Sequence, residues 1–283
     1  MVDLAHRPLP VFGHAVELTD VPDSDSSKAS ELRRLFKQDG LLVVRGLSLS
    51  EAGQIAFCRL FGPVPDSPSE NFIASNVQKG AFPGNRDVVC QMYGPSLPRP
   101  YLAACLHAVE VDPEAVGTRF VSAFGGYERL PSDLRARIDG LKALHVRERV
   151  HDRPTRLTDL LEGDICTVHD VVRRDPDTGR PFLFVNQAWT AQVIGMDQAH
   201  GDALLAQIHE HFYDDACVYE HHWADGDLVL WDNITVQHSR GLAGEGRRTL
   251  QRVTITEYGY AEQYPSDAAA IASELNNTAM LAG

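Results

Sequence analysis

The chain has 283 residues, of which 43% are hydrophobic and 23% charged, a balance typical of a folded globular protein rather than a disordered one. No stretch approaches the roughly 18 uncharged apolar residues of a membrane span, and we expect no secretory signal at the N-terminus. With 26 Lys and Arg against 39 Asp and Glu, the net charge of −13 disfavours phosphate backbones and anionic membranes, so we expect a small-molecule partner, with no nucleic acid and no membrane.

Hydrophobic periodicity predicts a helix, a strand and a second helix in the first part of the chain. Residues 27–37 repeat apolar side chains at helical spacing. Residues 40–45 form an apolar run between glycines, which is typical of a buried strand. Ser48 is the predicted cap of a second helix over residues 50–61.

The rest of the chain is rich in strand-forming segments separated by turns. The predicted strands here are 102–111, 118–123, 228–231 and 252–256, and a helix is predicted over 202–212. Such a pattern, with helices outside the strands, predicts a mainly β fold with helices (α+β) built on a β-sandwich or jelly-roll core. No linker divides the segments, so we expect residues 1–283 to form a single domain.

Cysteine usage indicates a reducing compartment. The five cysteines are odd in number and widely spaced, and none belongs to a CxxC pair: Cys58, Cys90, Cys105, Cys166 and Cys217. This pattern argues against a disulfide framework and against a zinc ribbon. We therefore expect a cytoplasmic protein, and the sequence leaves a homo-oligomer open.

The residues that could carry chemistry are concentrated near the C-terminus. His238 is followed by Arg248 and Arg252 on what is predicted to be a neighbouring strand. An imidazole binds transition metals and a guanidinium binds carboxylates in bidentate fashion, so this pattern could place a metal ligand beside a carboxylate clamp. A core histidine hydrogen-bonded within the protein and a solvent-exposed arginine would explain the same spacing. The pattern alone does not decide between this structural interpretation and the functional one.

Four stretches, in chain order, resemble the TauD/TfdA family of iron(II)/2-oxoglutarate oxygenases: residues 40–62, 110–123, 168–196 and 223–255. The resemblance implies a double-stranded β-helix core, cupin-like in type, with Fe(II) and 2-oxoglutarate as cofactors. It also implies an oxidoreductase that acts on a small anionic or carrier-linked molecule, in a setting such as specialised metabolism.

The resemblance also implies a role for each residue whose position matches a functional residue of the family. His238 matches the distal metal-ligand histidine, and Arg248 matches the arginine that clamps the distal carboxylate of 2-oxoglutarate. Thr118 matches the threonine that helps to hold the same cosubstrate. Arg252 matches a substrate-anion contact in some members. Asn186 lies in a well-matched stretch, where substrate binding and packing explain it about equally well.

The proximal metal-binding motif of this chain departs from that of the family. The family's metal site is a facial triad of two histidines and one carboxylate, in which the first histidine and the carboxylate belong to an H-x-D or H-x-E motif. The corresponding positions here are Gln91 and Tyr93, and residues 88–93 contain neither histidine nor carboxylate. An amide and a phenol with a pKa of ~10 are poor ligands for Fe(II). We therefore predict an atypical or weakened metal site, with His238, Tyr93 and Gln91 at the catalytic centre.

Three functions remain open on these residues. The first is an oxygenase with a rebuilt metal site, in which His107 is the recruited ligand and Tyr93 and Cys90 are further candidates. The second is a metal-independent enzyme that uses the 2-oxoglutarate pocket for acid–base chemistry on a carboxylate substrate, with His238 titrating near neutrality. The third is a non-catalytic binding protein.

Overall fold

The computed structural model describes residues 4–65, 72–78, 82–83, 91–92, 94–97, 99–147, 156–161, 164–241 and 244–263, and strands dominate this part of the chain. The strands before residue 150 are β1 (His6–Pro8), β2 (His14–Glu17), β3 (Leu41–Arg45), β4 (Phe72–Ser75), β5 (Phe82–Pro83), β6 (Ala103–Val111), β7 (Thr118–Ser122) and β8 (Lys142–Val146). The later strands are β9 (Cys166–Asp170), β10 (Val172–Arg174), β11 (Pro181–Leu183), β12 (Thr190–Val193), β13 (Val218–His221), β14 (Leu228–Asp232), β15 (Val236–Arg240) and β16 (Arg248–Ile255).

The helices lie between and after these strands. They are α1 (Ser27–Asp39), α2 (Glu51–Cys58), α3 (Ala123–Arg129), α4 (Ser132–Ile138), α5 (Gln198–Phe212) and α6 (Tyr260–Gln263), with short 3-10 helices at Leu157–Asp159 and Asp215–Cys217. The three predicted helices are confirmed as α1, α2 and α5, with shifted ends. The prediction that Ser48 caps α2 is wrong, because Ser50 Oγ accepts the capping hydrogen bond from Gly53 N at 3.2 Å.

Two sheets form the centre of the fold. The larger sheet has eight strands in the order β1-β2-β3-β14-β6-β16-β4-β5, and it is antiparallel except at the β2–β3 and β4–β5 pairs. The smaller sheet has the order β13-β7-β15, entirely antiparallel. Because successive side chains alternate across a strand, each sheet has an inward and an outward face.

The inward faces meet in an apolar layer that we call the interior core. Its buried members are Leu9, Ala15, Leu41, Val43, Ala104, Leu106, Ala108, Phe120, Trp223, Val229, Trp231, Val236 and Leu250. Across this layer the ring of Phe120 on the smaller sheet lies 5.4 Å from the ring of Trp231 on the larger one. Two sheets packed in this way confirm the predicted jelly-roll, or double-stranded β-helix, fold class.

Helices cover the outward faces. Leu32 and Leu35 of α1 and Phe57 of α2 pack against outward-facing side chains of β3, β6, β14 and β16. The helices α3, α4 and α5 cover the outer face of the smaller sheet. The approach of α3 to α5 is close, since a Cβ added at Gly126 would lie 2.4 Å from Phe212 Cδ2.

A further sheet, with the order β12-β8-β9, contains a fully buried histidine. The His145 ring on β8 lies 5.4 Å from the His169 ring and 5.6 Å from the Phe184 ring. Burial, together with the nearby charges of His169 and Arg173, lowers the pKa of His145 to about 3. The folded protein therefore holds this imidazole neutral over most of the acid range.

We expect acid to destabilise the fold through His145. An unfolded histidine has a pKa of about 6.5, so below that pH the unfolded chain binds a proton that the folded chain does not bind until about pH 3. The free energy of unfolding should fall with falling pH in this window, by about 1 kcal/mol per pH unit from this residue. Urea titrations between about pH 7 and pH 5 measure the slope. His145→Gln should reduce this slope by the contribution of one proton. An unchanged slope would contradict the assignment of the effect to His145.

Candidate functional site

Gln91 and His238 form a hydrogen-bonded pair on the smaller sheet. Gln91 N donates to His238 O at 3.0 Å, and His238 N donates to Gln91 O at 2.9 Å. Residues that exchange both backbone hydrogen bonds in an antiparallel pair project their side chains to the same face. The His238 ring is 5.0 Å from the Trp231 ring of the interior core, so residue 91 shares this inward face. Tyr93 and Cys90 lie outside the described residues.

Thr118 lies on the same inward face, one step along the ladder. Phe120 of β7 is directly opposite His238 of β15, and Thr118 is opposite Arg240. Because the side-chain period of a strand is two, Thr118 and Phe120 project to one side, as do His238 and Arg240. Thr118 is buried.

Arg248 begins β16 and reaches from the larger sheet to the smaller one. Its Nη1 donates to Val116 O at 3.0 Å and to Gly117 O at 3.3 Å, the two residues that precede Thr118. The residue is 8% exposed. Burial, together with the neighbouring charge of Arg240, lowers the pKa of Arg248 to about 10. A buried cation, close to a second cation, therefore lies against the backbone that leads into Thr118.

Arg252 brings a further positive charge to His238. It lies on the same face of β16 as Leu250 of the interior core, and it is buried. Burial and the charge of Arg252 lower the pKa of His238 to about 3. The prediction that His238 titrates near neutrality is therefore wrong, because a protonated imidazole would share a desolvated site with a guanidinium.

His107 lies on the other side of the larger sheet. Its neighbours Leu106 and Ala108 belong to the interior core, whereas Cys105 packs with the helices α1 and α2 on the outward face. His107 shares the outward face with Cys105, because side chains alternate along β6. The recruited-ligand prediction for His107 is not supported, since the structure does not bring this imidazole to His238.

Asn186 also lies away from His238. Its Oδ1 accepts a hydrogen bond from Trp189 N at 2.8 Å and so closes a turn. The preceding Val185 O accepts from Gln237 Nε2 at 2.6 Å, and Gln237 projects to the face of β15 opposite to that of His238. The structure thus favours the packing role for Asn186 over the predicted substrate contact.

The site therefore consists of five of the predicted residues on facing strands: Gln91, Thr118, His238, Arg248 and Arg252. Sequence reasoning missed Arg240 and Trp223. The spacing of two from His238 to Arg240 within one strand was a signal for a shared face. Trp223 Nε1 donates to Thr118 Oγ1 at 3.0 Å, and no local pattern links residues so far apart in the chain.

Among the residues that the structure describes, those around His238 do not fit a Fe(II) site of the family's type. His238 supplies one neutral imidazole, and the side chain opposite it is the amide of Gln91. Within the described ranges, no group of three or more His, Cys, Asp or Glu side chains could hold a metal ion. Since affinity depends on ligand number and geometry, we derive no chemical step through iron at this site.

Comparison with known proteins places these features in a family. The family model "Taurine catabolism dioxygenase TauD, TfdA family" matches residues 5–254. The alpha-ketoglutarate-dependent 2,4-dichlorophenoxyacetate dioxygenase of Cupriavidus pinatubonensis is 34% identical over 275 residues, covering 88% of this chain and 96% of that protein. Pentalenolactone F synthase of Streptomyces avermitilis is 29% identical, covering 95% of this chain and 99% of that protein.

Solved structures show the same fold. A taurine dioxygenase from Burkholderia xenovorans superposes with a TM-score of 0.74 at 23% identity, over 90% of this chain and 91% of that one. The described ranges contain no helix with the length and apolarity that crossing a membrane requires. The names of these relatives agree with the expectation of an oxidoreductase that uses 2-oxoglutarate, and the family match supports Fe(II) as the metal of this family. By its sequence and its fold, the chain belongs to the TauD/TfdA dioxygenase family.

Proposed function

We propose that this protein is a 2-oxoglutarate-binding oxidoreductase of the TauD/TfdA type, acting on a small anionic molecule. In this proposal Arg248 and Thr118 hold the distal carboxylate of 2-oxoglutarate, and Arg252 contacts the anionic group of the substrate. His238 and Gln91 line the space between Arg248 and Arg252. The observation that carries the proposal is the buried guanidinium of Arg248, which lies against the backbone just before Thr118 and close to a second arginine.

The electrostatics of the site favour an anion. Arg248 and Arg252 are each less than 10% exposed, in a chain whose formal net charge is −13. Burial disfavours a charged group, and a nearby like charge disfavours it further. A carboxylate or another anion at each guanidinium group would offset both effects and form short, charge-assisted hydrogen bonds. In this proposal the distal carboxylate of 2-oxoglutarate is the anion at Arg248, and the anionic group of the substrate is the anion at Arg252.

The acid–base alternative has less support. It requires a group that exchanges protons near neutral pH, and His238 has a pKa of about 3. An imidazole with so low a pKa is a weak base, so proton abstraction by His238 would be inefficient. The neutral ring is suited to hydrogen bonding within the pocket, or to ligating a metal that other groups also hold.

The decisive experiment is anaerobic calorimetric titration with 2-oxoglutarate, first with EDTA and then with Fe(II). Because the arginines and not a complete ligand set hold the acid, we expect binding in EDTA and less than about a threefold change in Kd when Fe(II) is added. No binding under either condition would overturn the proposal.

Oxidation is tested separately, by succinate formation in air with Fe(II) and a panel of small carboxylates and sulfonates. Succinate formation that depends on the added substrate would support the oxidoreductase. Tight binding of 2-oxoglutarate without succinate formation across the panel would favour the non-catalytic binding protein instead.

We also propose that residues 1–283 form one domain and that the protein is cytoplasmic. The free thiols of Cys58, Cys105, Cys166 and Cys217 support the cytoplasmic location. A small-molecule partner, rather than a nucleic acid or a membrane, is in keeping with the acidic composition. Light scattering of the purified protein would test for a homo-oligomer.

A further inference from the structure

Trp223 makes a hydrogen bond that sets the direction of the Thr118 hydroxyl. Trp223 Nε1 lies 3.0 Å from Thr118 Oγ1, and both residues are buried. An indole N–H is a donor only, whereas a threonine hydroxyl both donates and accepts. Thr118 must therefore be the acceptor in this contact. Its own proton is left to donate to another group.

Two arginines lie close to Thr118 in the fold. Arg248 donates to Val116 O and Gly117 O, immediately before Thr118 in the chain. Arg240 is the residue opposite Thr118 on β15. A hydroxyl donor in a region that holds two arginines is suited to an acceptor with negative charge, such as a carboxylate.

Trp223 is itself held by a buried polar chain. The His221 ring meets the Trp223 ring edge-on, with centroids 4.6 Å apart and an interplanar angle of 89°. His221 Nε2 lies 3.0 Å from Asp227 Oδ2, and Asp227 Oδ1 accepts from Arg45 Nε at 3.2 Å. Tyr219 OH is 3.3 Å from His221 Nδ1. His221 is therefore fixed by polar contacts at both ring nitrogens, which restricts the indole that packs against it.

We propose that Trp223 is a positioning residue, which fixes Thr118 as a hydrogen-bond donor to the distal carboxylate of a 2-oxo dicarboxylic acid. Through Thr118 it sets the preference of the pocket for a dicarboxylate over a 2-oxo monocarboxylate. This inference rests on the proposed function, because it assigns a role at the same pocket. It adds a residue outside the set that the resemblance provides.

The test compares Kd values for 2-oxoglutarate and pyruvate by calorimetry in wild type and Trp223→Phe. The phenyl ring keeps most of the packing and removes the N–H. With the donor removed, the Thr118 hydroxyl can rotate, and we expect a five- to tenfold loss of affinity for 2-oxoglutarate, about the value of one hydrogen bond. The affinity for pyruvate, which lacks the distal carboxylate, should stay within about twofold. The ratio of the two affinities is the readout that a general loss of packing would not change.

Two further variants complete the design. Trp189→Phe is the matched control, since Trp189 lies in the turn after β11, away from the pocket, and should leave the ratio unchanged. In a Thr118→Val background, Trp223→Phe should have no further effect on the ratio, because the hydroxyl it orients is gone. If Trp223→Phe does not fold, Trp223→Met, which also lacks the N–H donor, is measured in its place with the same expected change in the ratio, and an unchanged ratio overturns the inference.

The outcomes separate the inference from the proposed function. Wild type that binds neither acid overturns the proposed function, and this inference with it. Wild type that binds 2-oxoglutarate while Trp223→Phe keeps the same ratio overturns the inference alone. Equal losses for both acids in Trp223→Phe also overturn it, because the residue would then act through packing.

Discussion

Replacing Arg248 by methionine is expected to weaken 2-oxoglutarate binding by about 100-fold or more. The guanidinium is buried against the backbone that precedes Thr118, and methionine keeps roughly the length of the side chain without its charge. Loss of one partner of a buried, hydrogen-bonded charge pair typically costs about 2–5 kcal/mol, which corresponds to roughly 30- to 5,000-fold in Kd. Calorimetric titration in EDTA measures the change.

Arg247 provides a matched control within the same turn. Its guanidinium pairs with Glu110 and Asp112 at the surface, and its side chain is 57% exposed. Arg247→Met should leave the Kd for 2-oxoglutarate within about twofold. Arg248→Lys should give an intermediate loss, because an ammonium keeps the charge but not the planar fork. Equal affinities in Arg248→Met and wild type would show that the acid binds elsewhere.

Most of the fold could be predicted from local sequence patterns. The predicted and the observed structure differ mainly at the candidate site. The long apolar run of β6 and the helical period of α5 are properties of short sequence windows, which is why both were predictable. The predicted strand over 252–256 omits the first residues of β16, which begins at Arg248. Charged side chains on the inward face of a strand break the hydrophobic alternation, and here Arg248 and Arg252 do so.

The structure brings together the predicted residues whose positions match the family, and it differs from the prediction where facing or environment decided. His107 is next to two residues of the interior core, yet a difference of one residue turns its side chain outward. The pKa of His238 depends on burial and on Arg252, which belongs to a different strand. Trp223 reaches Thr118 only because β7 and the chain after β13 are neighbours in the smaller sheet, a register that sequence alone does not reveal.

The largest change in metal binding is expected from restoring the family's proximal motif, with Gln91→His and Tyr93→Asp combined. Residue 91 pairs directly with His238, and Cβ atoms of such pairs are about 4.5–5.5 Å apart on one face. Two imidazoles at this separation can share one metal ion, and a carboxylate two residues further would complete a facial triad. We expect the affinity for Fe(II) to rise by at least about 100-fold over wild type, since each added ligand strengthens the site.

Anaerobic Fe(II) titrations, with and without 2-oxoglutarate, measure this effect. The pair Gln91→Asn and Tyr93→Phe is the control, because it changes the same positions without adding a histidine or a carboxylate. Tight Fe(II) binding by wild type through His238 and other residues would show that the register near Gln91 was misassigned. Equally weak binding in wild type and the restored variant would show that the segment after Gln91 no longer follows the family's path. The reason would then lie in the backbone, because the ladder bonds between Gln91 and His238 fix the first ligand position but not the second.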